Sequence, residues 1–146
     1  MNFASDNVTG AAPEILAAIE KGNDGALMPY GNDDVSRAAE AKVAALFETE
    51  ADVFFVATGT AANALALSAA TPPWGAVFCH GGAHIFDTEA AAPEFYSGGA
   101  KLVTLEGENG KIAPETLEAA IADAHVGNVH HVQPACVSIT QATETG

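Results

Sequence analysis

Short apolar runs alternate along this chain with stretches whose apolar residues return every three or four positions, and that alternation limits the possible folds most. Residues 53–57 (VFFVA) are continuously apolar over a length that suits a strand covered on both faces, and 76–79 (AVFC) form a second apolar run. Residues 101–105 (KLVTL) and 129–140 (VHHVQPACVSIT) also suit strands, while 61–70 (AANALALSAA) and 114–124 (PETLEAAIADA) have the spacing of helices. Upstream, Pro13 opens a helix (PEILAAIEK) that Gly22 closes, as expected from the asymmetry of helix ends. A Gly-, Asn- and Asp-rich loop follows. Asp33 or Asp34 then caps a second helix with an apolar stripe of Val35, Ala39, Val43, Leu46 and Phe47. The connections are too long for tight hairpins. An α/β fold is therefore expected, in three layers, with a mainly parallel sheet flanked by helices. Residues 1–34 form an N-terminal helix and loop segment, and 35–146 hold the sheet. A parallel strand near the last residue would normally lead into another crossover, so an incomplete domain is expected.

Charge narrows the function classes. Nineteen acidic residues against five basic ones give a net charge of −14 without any acidic run, which disfavours nucleic acid and anionic membranes as partners. The 146 residues, 49% hydrophobic and 16% charged, match a globular domain with a core of its own. No apolar run approaches a membrane span and the N-terminus lacks the pattern of a signal peptide, so the cytoplasm is the expected location. Cys79 and Cys136 sit in apolar runs without metal-ligand spacing, as expected of two free thiols and no metal site.

Three places can carry chemistry. At Thr58-Gly59-Thr60 a strand is expected to pass into a helix. Gly59 permits a sharp turn and a close approach to a ligand, the first helical amides lack partners, Thr60 adds a hydroxyl, and Asn63 stands one turn on. By itself this is either an anion site or an ordinary turn. It is neither a Walker loop nor a dinucleotide fingerprint. His84 lies among small residues that would let a flat group approach, and Glu89, five positions on, could hold or charge its ring if the segment turns. A structural histidine is the other reading. His130 and His131 begin the last expected strand, where adjacent side chains point to opposite faces, so at most one faces a site. A solvated strand end is the other reading. Ser5-Asp6-Asn7 and Tyr30-Gly31-Asn32-Asp33 read alone as capping or turn segments.

In order and spacing, SDNVT, YGND, ATGTAANALAL, GGAHIFDTEAAAP and SITQATETG together resemble the threonine aldolases, which are fold type I enzymes dependent on pyridoxal 5′-phosphate (PLP). The resemblance covers essentially the whole chain. It implies the N-terminal portion of a PLP-binding large domain, with Gly59 and Thr60 cradling the cofactor phosphate and His84 stacked on the pyridine ring. It further implies Ser5 near the substrate carboxylate, Tyr30 at or near the active site of its own or a neighbouring subunit, and His130 as a second catalytic histidine able to act as base. Glu89 matches a family acid of open role. The reaction implied is cleavage of L-threonine-type β-hydroxy-α-amino acids to glycine and an aldehyde, in a homodimer or homotetramer.

The sequence departs from the family in its lysines. Lys21, Lys42, Lys101 and Lys111 do not match the lysine that joins the cofactor, and Arg37 is a poor substitute for the family's carboxylate-binding arginine. The resemblance places that lysine, that arginine and the aspartate facing the pyridine nitrogen beyond residue 146, so these residues alone are expected to be inactive. Two other readings stand beside the aldolase. One is a different PLP β-eliminating lyase, tryptophanase- or tyrosine-lyase-like. The other is a non-catalytic remnant binding a phosphorylated ligand or a partner subunit.

Overall fold

The structure is a computed structural model that describes residues 8–143. Ser5 lies outside the described residues. The chain forms two compact units, residues 1–54 and 55–146.

The first unit holds α1 (Pro13–Gly22), α2 (Asp34–Ala44) and a 3₁₀ turn, Ala45–Phe47. Pro13 occupies the first turn of α1, where a missing N–H costs nothing. Asp33 caps α2: its Oδ1 accepts from the Ser36 amide at 2.8 Å and its Oδ2 from the Ser36 hydroxyl at 2.7 Å. Those bonds favour the ionised carboxylate and hold Asp33 below the ordinary 3.8. No described residue of this unit is buried, and the expected stripe leaves Val35, Leu46 and Phe47 exposed. The boundary expected after residue 34 falls at the start of α2, inside this unit.

The strand expected at residues 53–57 is absent. A strand needs a hydrogen-bonded neighbour, and among the described residues none pairs with this segment, which leaves Phe54 83% and Phe55 62% exposed.

The second unit runs α3 (Gly59–Ala70), β1 (Gly75–His80), α4 (His84–Asp87), α5 (Ala92–Tyr96), β2 (Lys101–Leu105), a 3₁₀ turn (Glu108–Gly110), α6 (Pro114–Ala122) and β3 (Gln133–Val137). The sheet order is β2-β1-β3 and both pairings are parallel, with Ala76 opposite Lys101 and Gly75 opposite Gln133. The central strand explains the continuous apolar run, because alternate residues enter opposite cores. Val77 and Cys79 pack with Leu67, Ala83 and Ile85 on one face. Ala76 and Phe78 pack with Leu105, Leu117 and Ala120 on the other. Each large side chain buried this way contributes roughly 1.5–3 kcal/mol. Gly75 starts β1 where a Cβ would meet Thr71 Cγ2 at 2.6 Å and Ala135 Cβ at 2.9 Å.

A short link, residues 71–74, joins α3 to β1, so α3 runs antiparallel to the strand. The N-terminus of α3 therefore lies at the carboxyl edge of the sheet, where open α/β sheets place their ligands. Among the described residues no helix is long and apolar enough to cross a membrane.

Candidate functional site

Thr58 caps α3 in an extended conformation, and its hydroxyl accepts from the Ala61 amide at 3.1 Å. The Thr58 carbonyl takes the Ala62 amide at 3.1 Å. No described protein acceptor takes the amides of Gly59 and Thr60. A Cβ added at Gly59 would meet nothing within 4 Å, so this helix end is open. Two bare donors at the positive end of a twelve-residue helix form a place for an anion.

One turn along, Asn63 donates its side-chain amide to Glu89 Oε1 at 2.7 Å. The same oxygen lies 2.7 Å from His84 Nδ1. Glu89 thus ties the second turn of α3 to the imidazole that opens α4, across 26 residues of sequence on one side and five on the other. Its side chain is wholly buried, whereas that of His84 is 46% exposed. Glu89 Oε2 is buried without a hydrogen-bond partner.

His80, which no sequence motif singles out, organises the loop between β1 and α4. Its Nδ1 accepts from the Gly82 amide at 2.9 Å, so its Nε2 carries the proton and donates to the Gly107 carbonyl at 2.9 Å. The signal for it is a histidine directly before two glycines, with its ring able to reach the second amide. Beside it a cavity of ≈ 750 Å³ opens between His80, Lys111, Ser138 and Thr140. Gly59, His84 and Glu89 do not line that cavity. Bare amides and a buried carboxylate–imidazole pair assign the site; volume alone does not.

Gly59, Thr60 and His84 are brought to one edge of one unit. His130 is not. The last strand begins at Gln133 rather than near residue 129, and His130 lies in the turns before it, its amide bonded to Asn128 Oδ1 at 3.0 Å. Gln133 stands opposite Gly75 at the amino end of β1, while His84 follows the carboxyl end. At about 3.3 Å per residue, the length of the central strand, roughly 17 Å, separates the two ends. Within this unit His130 therefore stands by the amino end of the central strand and His84 by its carboxyl end. Tyr30 belongs to the first unit, in a left-handed turn (φ 63°), and is 96% exposed.

The second unit is therefore a parallel α/β domain that opens a bare helix end and a held imidazole at the carboxyl edge of its sheet. The beta-eliminating lyase family matches residues 2–146, and this chain belongs to it. It is 43% identical over 144 residues to a low specificity L-threonine aldolase of Pseudomonas sp. and 40% identical to one of Pseudomonas aeruginosa. Each match covers 99% of this chain, which spans 41% of the length of either relative. A solved threonine aldolase of Leishmania major superposes with a TM-score of 0.86 at 33% identity, over 95% of this chain and 40% of that one. The resemblance to threonine aldolases and the fold type I architecture, in partial form, are borne out.

Proposed function

We propose that the protein to which this chain belongs is a PLP-dependent aldehyde-lyase that cleaves L-threonine, L-allo-threonine and related β-hydroxy-α-amino acids to glycine and an aldehyde. The observation that carries the reading is the open end of α3, with two unpartnered amides and clear space at Gly59, linked through Asn63 and Glu89 to His84. This donor set fits a phosphate dianion, since backbone amides and a helix dipole favour negative charge without a cationic side chain. Similarity to two L-threonine aldolases supports the same activity.

When bound, PLP supplies the electron sink that lets a bond at the substrate's Cα break. Gly59 and Thr60 would hold its phosphate, and His84 would lie against its ring. Cleavage of the Cα–Cβ bond requires the β-hydroxyl proton to leave as the carbonyl of the aldehyde forms. An imidazole suits that work near neutral pH; we assign it to the exposed nitrogen of His84, with His130, or a water it holds, as the second histidine that the resemblance implies. Ser5 and Tyr30 are assigned to the substrate side, Tyr30 in its own or a neighbouring subunit of a homodimer or homotetramer. Residues 35–146 form the N-terminal portion of the cofactor-binding domain, and 1–34 the helix and loop segment before it. Among the lysines of the second unit, Lys101 starts β2 at the amino edge and Lys111 lines the cavity beside His80. Neither is bonded to the His84–Glu89 pair.

The family match favours one second reading, β-elimination to pyruvate and ammonia. Products separate the two. L-allo-threonine incubated with PLP and the purified protein yields glycine and acetaldehyde in equal amounts if it is an aldolase. Pyruvate and ammonia would support the second reading. PLP binding with neither product set would leave a binding protein.

A further inference from the structure

We propose that Glu89 is the positioning residue of this site: it fixes the His84 imidazole with its proton on Nδ1 and so leaves Nε2 as a bare acceptor on the exposed side of the ring. The inference deepens the aldolase reading and rests on it only for the use to which that acceptor is put.

The geometry supplies the argument. Asn63 Nδ2 can only donate, so the Glu89 oxygen 2.7 Å away is an acceptor. The same oxygen lies 2.7 Å from His84 Nδ1, and a carboxylate oxygen accepts both bonds. A ring that donates from Nδ1 holds its remaining lone pair on Nε2, and the second hydrogen bond fixes which nitrogen that is. Asn63 also pins the carboxylate to α3, so the ring and the helix end that would receive an anion are held by one side chain. Burial argues the same way. A wholly buried Glu89 whose Oε2 has no partner is a poor choice for packing, and an apolar side chain would fill the space without stranding an oxygen. The carboxylate is accounted for by what it does to the ring.

The test needs no cofactor. Long-range ¹H–¹⁵N spectra of the histidine-labelled chain, at about pH 8 and above the ordinary imidazole range, report which ring nitrogen carries the proton, with His84→Gln giving the assignment. The proton is expected on Nδ1 in the parent chain and in Glu89→Gln, whose amide oxygen still accepts. In Glu89→Leu the Nδ1–H form is lost in favour of the Nε2–H form that water prefers. A parent spectrum with the proton on Nε2, or Glu89→Leu leaving the ring unchanged, overturns the proposal. If Glu89→Leu does not fold, the parent and Glu89→Gln spectra still decide. Failure of the cofactor reading would show separately, as unchanged Gly59 and Thr60 amide signals on adding PLP while the ring tautomer stays on Nδ1.

Discussion

Gly59→Ala separates the folding role of this glycine from its binding role. A Cβ there meets nothing within 4 Å, and Gly59 lies outside the left-handed region, so the methyl group enters without strain. Alanine also favours a helix over glycine by about 1 kcal/mol at most, and it removes freedom from the unfolded chain. The melting temperature should stay level or rise by a few degrees. Binding goes the other way. The added methyl occupies the clear space beside the two unpartnered amides and displaces the phosphate from at least one of them. A hydrogen bond to a charged group is worth about 1.5–3 kcal/mol, so PLP affinity should fall roughly 10- to 150-fold. The assay is thermal stabilisation by PLP, with pyridoxal, which lacks the phosphate, as control. At a concentration of about 100 times the parent Kd, the parent gains ~2.7 kcal/mol, while a variant weakened a hundredfold gains only ~0.4 kcal/mol. Pyridoxal should stabilise both forms equally. Equal PLP stabilisation of parent and variant would refute the assignment of these amides. Loss of folding would refute the open space.

Three further outcomes test the fold. Gly75→Ala should destabilise by about 1–3 kcal/mol in a urea melt, since its Cβ meets Thr71 and Ala135 inside ordinary contact distance at the start of the central strand; an unchanged midpoint would contradict the packing. Burial, with the charge of Glu94 adding to it, pushes the Cys79 thiol from 9.0 up to about 11, so a thiol reagent at about pH 8 should label Cys136 well before Cys79. The stabilisation linked to keeping Cys79 protonated is present below pH 9.0 and is lost as pH rises through about 11. A melting temperature flat across that window for the parent, and identical to Cys79→Ala in its pH dependence, would contradict this.

What could be read from the sequence followed from rules local to each segment. The run at 76–79 was legible as apolar, and Val77, Cys79 and Phe78 divide between two cores, as a strand covered on both faces requires. Pro13, Pro114 and Asp33 marked helix starts because a fixed φ or a capping carboxylate acts within one turn. The segment at 53–57 has the same apolar pattern as β1, yet a strand exists only with a ladder partner, which composition does not supply. Two short helices, α4 and α5, were unreadable because four and five residues are too few to display a helical period. The last strand begins later than expected through a local effect. Gln133 bonds back to the Gly127 amide and to the Asn128 and His131 carbonyls, which keeps this stretch in turns until β3 begins. The Glu89–His84 pair was legible as a possibility at a spacing of five. Its tie to Asn63 was not, since that bond spans 26 positions and depends on α3 packing beside α5.

A ¹H–¹⁵N titration of the labelled chain with PLP asks directly whether a phosphate rests on the first turn of α3. The amide signals of Gly59 and Thr60 should move most, with His84 following, and inorganic phosphate should move the same two amides at higher concentration. Shifts confined to the cavity around Lys111 and Ser138, with Gly59 and Thr60 unmoved, would contradict the assignment.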